Sequence, residues 1–278
     1  MVYHLNSKKV IYDRAKGAHA VIYQEEAQSS NGGQPTAPGD DAAYYFATFA
    51  SFRQQSYEEG LKNIKLLKRG ERLQVLDVGC AYGLFPDLVQ RQGWEATGLE
   101  PGSVQAAFAR NHFQIKVHEG KIEDFTTDQK FDVITFWDVL EHLPEPGPVL
   151  AKVKRLLKDD GILLIRVPNA RGLIHRLSFL SYWLTLGYFK FPLDKLTENH
   201  HWIYTKASLN GILKEYGFDE ILLYHEDMID KNSLIQKSYI RGLPICIKSL
   251  VASFLKGILS LTAIFSMQDS IVAYYRKQ

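Results

Sequence analysis

The sequence predicts an α/β fold: a sheet of parallel strands covered by helices on both faces. Three observations carry this expectation. Between residues 74 and 167, short apolar runs alternate with helical patterns. The last of them, 162–167, is nearly all apolar, as strands buried on both faces are, rather than apolar at every second residue. The first run also enters a turn of small residues that opens a helix.

The elements follow in order. Residues 1–27 are mixed, with one strand-like run at 18–23. Residues 28–41 are rich in Gly, Pro, Ser and Asn and read as a flexible linker. Residues 1–42 are therefore expected to form an N-terminal extension, and 43–278 the main domain. From Ala43 to Leu67 the apolar positions Phe46, Phe49, Phe52, Tyr57, Leu61 and Ile64 suit a helix that Gly70 ends. Strand 74–78, helix 84–92, strand 96–100, helix 103–111 and strand 115–118 come next. Strand 133–137, helix 148–157 closed by Gly161, and strand 162–167 complete the alternation. Beyond Pro168 the pattern changes. Residues 171–192 are aromatic-rich, with Leu173, Leu177, Leu180 and Leu184 at helical spacing. Helix 208–216 ends at Gly217 and leads into strand 220–225. Residues 229–268 read as a helical insertion, and a last strand, 270–275, is placed to lie beside 220–225.

Composition narrows the function classes. Thirty-three Lys and Arg stand against 31 Asp and Glu in 278 residues, a net charge of +2. That balance argues against a strongly basic nucleic-acid binder. Two cysteines, Cys80 and Cys246, allow no disulfide framework beyond one bridge, so a reducing, cytoplasmic setting is expected. The N-terminus lacks a basic stretch followed by an apolar core, so no secretory signal is expected. The most apolar stretch, Ser249–Phe265, is short for a spanning helix and has Lys256 at its centre. Within 248–266, residues 250, 254, 258, 261 and 265 form an apolar stripe opposite Ser249, Ser253, Lys256 and Ser260. This segment and 171–192 are expected to be packing or lid helices. The alternative is a surface for a hydrophobic or lipid-linked acceptor at a membrane interface.

The chemistry is concentrated at the end of the first main-domain strand. Leu76-Asp77-Val78-Gly79-Cys80 runs into Ala81, Tyr82 and Gly83, placing small residues at 79, 81 and 83 where a strand turns into a helix. Glycine permits backbone angles and close approaches that a Cβ blocks. The following helix N-terminus presents free N–H groups to a ligand. Glu100 ends the next strand, where a carboxylate can accept both hydroxyls of a ribose. A nicotinamide cofactor would suit such a turn equally well. Asp77, Pro86 shortly after Gly83, and the segment Phe131–Leu143 turn the reading elsewhere.

With those residues the chain resembles the class I S-adenosylmethionine-dependent methyltransferases over about residues 43–225. It is similar to the branch with Leu-Asp-Val-Gly-Cys at the first strand and Leu-Glu-His after the fourth. That branch includes the ubiquinone-biosynthesis O-methyltransferases and many small-molecule and glycan methylases. Five segments match in order: 77–83, 98–101, 119–124, 131–142 and 157–169. The resemblance implies a Rossmann-like, doubly wound, seven-stranded sheet, mostly parallel with an antiparallel last strand. It also implies insertions 171–200 and 229–268 as a lid over the acceptor.

The resemblance further implies S-adenosylmethionine as cofactor, with S-adenosylhomocysteine as product. Asp77, Gly79, Cys80, Ala81 and Gly83 would hold its methionine half. Glu100, with Pro101, would bind the ribose, and Ile122 and Glu123 would flank the adenine. Phe136, followed by Trp137, would offer a carbonyl to the amine. Two departures stand out: Ala81 replaces the loop's middle glycine, and Lys121 replaces an acidic residue that meets the adenine amine. His142, His201 and Asp138 are the candidate catalytic residues, with His200 beside them. A base is needed if the acceptor is a hydroxyl, and histidine titrates near neutrality. Asp138, Glu141 and His142 align with a trio that holds a divalent metal in the ubiquinone branch. The expectation here is no metal, with Asp138 capping a turn and His142 packing against the cofactor.

The expected acceptor is a small molecule, free or linked to a glycan or lipid, methylated at oxygen. Two rivals are a cofactor-binding but inactive scaffold and an NAD-dependent oxidoreductase. A nucleic-acid methyltransferase is disfavoured, because Phe136-Trp137-Asp138-Val139 stands where base methylases carry an Asn/Asp-Pro-Pro-aromatic tetrapeptide.

Overall fold

The runs that are apolar on both faces become the strands of one sheet. The computed structural model describes residues 51–173, 200–227 and 268–278, together with 2–5, 8–12, 21–24, 45–46, 175–176 and 184. Helix α1 (Ser51–Leu67) precedes β4 (Gln74–Val78), α2 (Leu84–Gln90), β5 (Glu95–Glu100), α3 (Ser103–Phe113) and β6 (Lys116–Glu119). Then come β7 (Phe131–Trp137), a 3₁₀ turn (Leu140–His142), α4 (Pro146–Leu156) and β8 (Leu157–Pro168). Strand β9 (Trp202–Ile203), α5 (Lys206–Glu215), β10 (Phe218–Glu226) and β11 (Ser270–Lys277) close the chain.

The sheet has seven strands in the order β10-β11-β8-β7-β4-β5-β6. Neighbours from β8 to β6 pair in parallel, whereas β11 pairs antiparallel with both β8 and β10. The seven expected strands are therefore all present, with the last one antiparallel. From β4 the chain moves outward through β5 to β6, then returns to place β7 on the other side of β4. That reversal opens a crevice at the carboxyl ends of β4, β5 and β7, where open α/β sheets bind ligands.

Period-two alternation sends residues of one strand to opposite faces. Leu163, Ile165 and Val167 of β8 join Val149, Leu150 and Val153 of α4 and Leu209 and Leu213 of α5 in one core. Ile162 and Leu164 face the other way, onto Tyr57, Leu61 and Ile64 of α1 and Phe85 and Val89 of α2. Helices on both faces explain why the strands carry no polar stripe.

Boundaries shift where local chemistry competes with pattern. Helix α4 starts at Pro146, whose fixed φ and missing N–H suit a first helical position. Strand β8 begins at Leu157, so Gly161 lies within it rather than closing the helix. Pairing moves from Phe131↔Leu157 to Val133↔Ile162 across that irregularity. Helix α5 starts at Lys206 because Thr205 caps it: Thr205 Oγ1 accepts from the Ser208 N–H, and Ser208 Oγ accepts from the Thr205 N–H.

A second, four-stranded sheet has the order β1-β2-β3-β9, with β1 (Val2–Leu5), β2 (Lys8–Tyr12) and β3 (Val21–Gln24). The run expected at 18–23 thus appears as 21–24, with two strands before it that the pattern did not reveal. β3 pairs with β9 through Val21↔Ile203 and Ile22↔Trp202. The linker 28–41, most of insertion 171–200, and residues 229–267 lie outside the described residues, as do nearly all of the amphipathic stretches 171–192 and 248–266. Among the described residues, no helix is long and apolar enough to cross a membrane.

Candidate functional site

Strand β4 ends at Val78, and the next residues turn sharply towards α2. Gly79 takes φ +72° and Gly83 φ +84°, in the left-handed region. A Cβ at Gly79 would lie 2.6 Å from a Val139 methyl, and one at Gly83 2.7 Å from the Ala109 Cβ. These two positions need glycine for space as well as for angle. Ala81 also sits at positive φ, +47°, which strains a residue with a Cβ. Its N–H is held by Glu100 Oε2 at 2.8 Å, while Glu100 Oε1 accepts from the Gly102 N–H at 2.8 Å. Glu100 thus ties the loop to the end of β5 and keeps its carboxylate at the crevice.

A cleft of about 360 Å³ opens there. Gly79, Glu100, Pro101, Ile122, Glu123 and His142 line it, with Lys121 and Val139 beside them. The structure therefore brings the expected ribose residue, both expected adenine residues and one candidate base to a single cavity. Cys80 is buried behind the loop, and burial raises its thiol pKa far above the ordinary value, so it packs rather than reacts. Phe136 is buried in the core that α4 and α5 cover. Trp137 lies in the opposite core, its ring 4.7 Å from that of Tyr57 and 5.2 Å from that of Phe85. Neither side chain lines the cleft.

Asp77 is 3% exposed. Thr135 Oγ1 donates to Asp77 Oδ1 at 2.6 Å. Burial pushes the Asp77 carboxyl up to about 7, the Thr135 bond opposes this, Glu100 adds to it, and Arg53 opposes it. A carboxyl with one donor and little water is poised to take a cationic partner.

Arg53 was missed by sequence reading. It stands in the first turn of α1 and reaches Asp138 Oδ2 at 2.9 Å. Among the described residues its Nε is buried without a hydrogen-bond partner, and its charge also acts on Asp77. Asp138, directly after β7, also pairs with Arg166 of β8, and Arg166 pairs with Glu226 at the end of β10. Ser56 donates to Glu226. Burial alone would raise the Asp138 carboxyl, but Arg166 and Arg53 outweigh it and hold it below its usual range. Only spacing along α1 hinted at this role, because Arg53 lies on the same helix as the core-facing Tyr57.

The candidate trio of 138, 141 and 142 is split. Asp138 turns to the arginines, and His200 takes its place. Among the described residues, Glu141, His142 and His200 bring one nitrogen or oxygen each within 4.8 Å of one another. The His142 and His200 rings meet edge to face at 4.7 Å. Glu141 is fully buried, and among the described residues neither carboxyl oxygen has a hydrogen-bond partner. Burial, then Asp138, pushes its pKa well above the ordinary value. Two imidazoles and a carboxyl at that spacing can share a proton or a divalent cation. His201 is half-buried, and its backbone N–H donates to the Glu141 carbonyl at 2.8 Å. Trp202 fixes the same turn by donating Nε1–H to the Leu143 carbonyl at 2.8 Å.

The fit to an adenosyl amino acid can be read from this geometry. Gly79 lines the cleft, the Glu100 carboxylate is held at its edge, and an Arg53 donor without a hydrogen-bond partner among the described residues lies near a one-donor carboxyl. A zwitterionic ligand end satisfies both of the latter.

A family model described as a methyltransferase domain matches residues 49–223. The ubiquinone biosynthesis O-methyltransferase of Glaesserella parasuis serovar 5 (strain SH0165) is 30% identical over 177 residues, which are 59% of this chain and 73% of that one. The protein of the same name from Actinobacillus pleuropneumoniae serotype 5b (strain L20) is 36% identical over 107 residues, 34% of this chain and 46% of that one. The chain thus spans about half the length of the second relative. Among solved structures, the magnesium protoporphyrin IX methyltransferase of Synechocystis PCC 6803 with bound SAH aligns at TM-score 0.53 and 14% identity, covering 88% of this chain and 90% of that one. A SAM-dependent methyltransferase from Archaeoglobus fulgidus aligns at 0.54 and 18% identity, covering 84% of this chain and 100% of that one. At these identities the likeness is one of fold.

Proposed function

Because the chain belongs to the class I S-adenosylmethionine-dependent methyltransferases, we propose that it methylates an oxygen of a small-molecule acceptor, with His142 as the base. The observation that carries this reading is the place of His142, on the rim of the same cleft as Gly79, Glu100 and Ile122. The O-methyltransferase names of its relatives support oxygen as the acceptor atom.

When bound, S-adenosylmethionine supplies a methyl already activated on a sulfonium. This chain's residues need only hold, align and dry the site. Asp77 accepts from the amino group of the ligand, and Arg53 donates to its carboxylate. Glu100 accepts from the ribose hydroxyls, and Ile122 and Glu123 bound the adenine. Phe136 and Trp137 contribute through their backbone. His142 takes the acceptor's hydroxyl proton on a ring nitrogen, with His200 and Glu141 close enough to share it. Asp138 anchors Arg53 rather than moving a proton, since two guanidinium groups hold it ionised. His201 is given the positioning of Glu141.

The reading extends to acceptors carried on a glycan or lipid, with 171–192 and 248–266 as the surface that would meet them. An inactive scaffold or a nicotinamide enzyme is not favoured.

The test is formation of S-adenosylhomocysteine by the purified protein with matched hydroxyl and amine acceptors. Turnover on hydroxyls is expected, reduced about 10²- to 10⁴-fold in His142→Gln, with binding of S-adenosylhomocysteine kept. Turnover confined to amines, or an unaffected His142→Gln, would overturn it.

A further inference from the structure

The turn after β6 brings one cation and one anion to the cofactor cleft. The Gly120 N–H donates to the Glu100 carbonyl at 3.0 Å, which fastens this turn to the strand that carries the ribose residue. Ile122 is 2% exposed and belongs to the core under α4 and α5. Turn bonds hold it there: the Asp124 N–H donates to the Lys121 carbonyl at 3.2 Å, and the Phe125 N–H to the Ile122 carbonyl at 3.3 Å. Lys121 and Glu123, on either side of Ile122 in the chain, are exposed, and both line the cleft. The Glu123 carbonyl accepts from Lys152 Nζ at 2.8 Å. Among the described residues, neither the Lys121 ammonium nor the Glu123 carboxylate has a hydrogen bond or an ion pair.

A ligand whose ribose sits at Glu100 brings its base to this turn. An ammonium only donates and a carboxylate only accepts. Adenine presents an amino donor beside the ring acceptor N1. A 6-oxopurine presents the reverse, an acceptor oxygen beside an N1–H donor. Two carboxylates at this edge, as an acidic residue at 121 would give with Glu123, suit the amine and leave the oxygen facing an acceptor. With lysine at 121, either edge meets one donor and one acceptor. Adenine gives its amine to Glu123 and accepts from Lys121 at N1; the oxo base gives N1–H to Glu123 and accepts from Lys121 at its oxygen. We propose that Lys121 and Glu123 read the purine edge as a donor–acceptor pair, so that the cleft binds the 6-oxopurine form of its cofactor about as well as the adenine form. This rests on the cofactor assignment above. It makes Lys121 the residue that sets base specificity.

Calorimetry with S-adenosylhomocysteine and S-inosylhomocysteine tests this without any acceptor. The two ligands differ only at the base edge, so their contacts with Glu100 and Asp77 are the same. The unmodified protein should bind them with dissociation constants within about threefold of each other. Lys121→Asp should weaken the inosyl ligand about 10-fold or more, because its oxygen then faces a second acceptor, and should hold the adenosyl ligand at least as tightly as before. Retained binding of the adenosyl ligand also shows that the variant is folded. Discrimination of more than about tenfold against the inosyl ligand by the unmodified protein, or a ratio that Lys121→Asp leaves unchanged, would overturn the proposal while the cofactor assignment stands. Failure of the unmodified protein to bind either ligand would overturn both.

Discussion

Replacing Asp77 by Asn should make the cofactor-free protein more stable in alkali while weakening its hold on the cofactor. The side chain is 3% exposed, and its carboxyl is pushed from 3.8 to about 7. The folded state therefore binds its proton more tightly than the unfolded chain does. Stability is fully present below about pH 4, falls as pH rises between 3.8 and about 7, and levels off above that. At roughly 1.4 kcal/mol per pH unit, the penalty is about 1.5 kcal/mol at pH 5 and about 4 kcal/mol at pH 8. Asn has no such penalty and still offers an oxygen to Thr135 Oγ1. The stability gap between variant and parent should thus widen by about 2.5 kcal/mol from pH 5 to pH 8, roughly 5 to 10 °C in Tm for a domain of this size. Thermal melts followed by circular dichroism at both pH values measure it, and other titrating groups cancel in the difference. S-adenosylhomocysteine affinity should fall about 10-fold or more, since a hydrogen bond to a charged group is lost. A gap that stays constant or narrows with rising pH would refute the argument.

Two further outcomes follow from backbone strain and buried charge. Ala81→Gly relieves a Cβ at φ +47° and should raise stability by about 0.5–1 kcal/mol with cofactor binding unchanged, checked by denaturant titration and calorimetry. Arg166→Met leaves Asp138 and Glu226 without their shared partner inside the fold. It should cost about 3–5 kcal/mol, measured by urea unfolding, with Arg166→Lys recovering only part of the loss.

The parts of this protein that were legible in advance are those whose physics is local. Apolar runs flanked by helical patterns identify strands buried on both faces, so all seven strands of the main sheet could be placed, including the last beside 220–225. The turn at Gly79–Gly83 and the carboxylate of Glu100 were legible because tight turns and helix N-termini leave few choices of residue. The β1-β2-β3-β9 sheet was not legible. Its strands are short, and β9 has two residues whose partner, β3, lies about 180 residues earlier.

The sequence by itself determined the two-faced sheet, the small-residue loop and the acidic residue at the end of β5. Periodicity and turn chemistry act over a few residues and so can be read along the chain. Only the tertiary structure decided which charges meet. Asp138 could have joined Glu141 and His142, as its spacing on a turn allows. Instead it takes a positive φ of 56° and turns to Arg53 and Arg166, because β8 lies beside β7 and α1 packs across that edge. His200, 58 residues from His142, fills the place beside it because Trp202 is fastened to Leu143. Ion pairs and ring contacts of that range are set by strand order and helix packing, and neither is written in any window of residues.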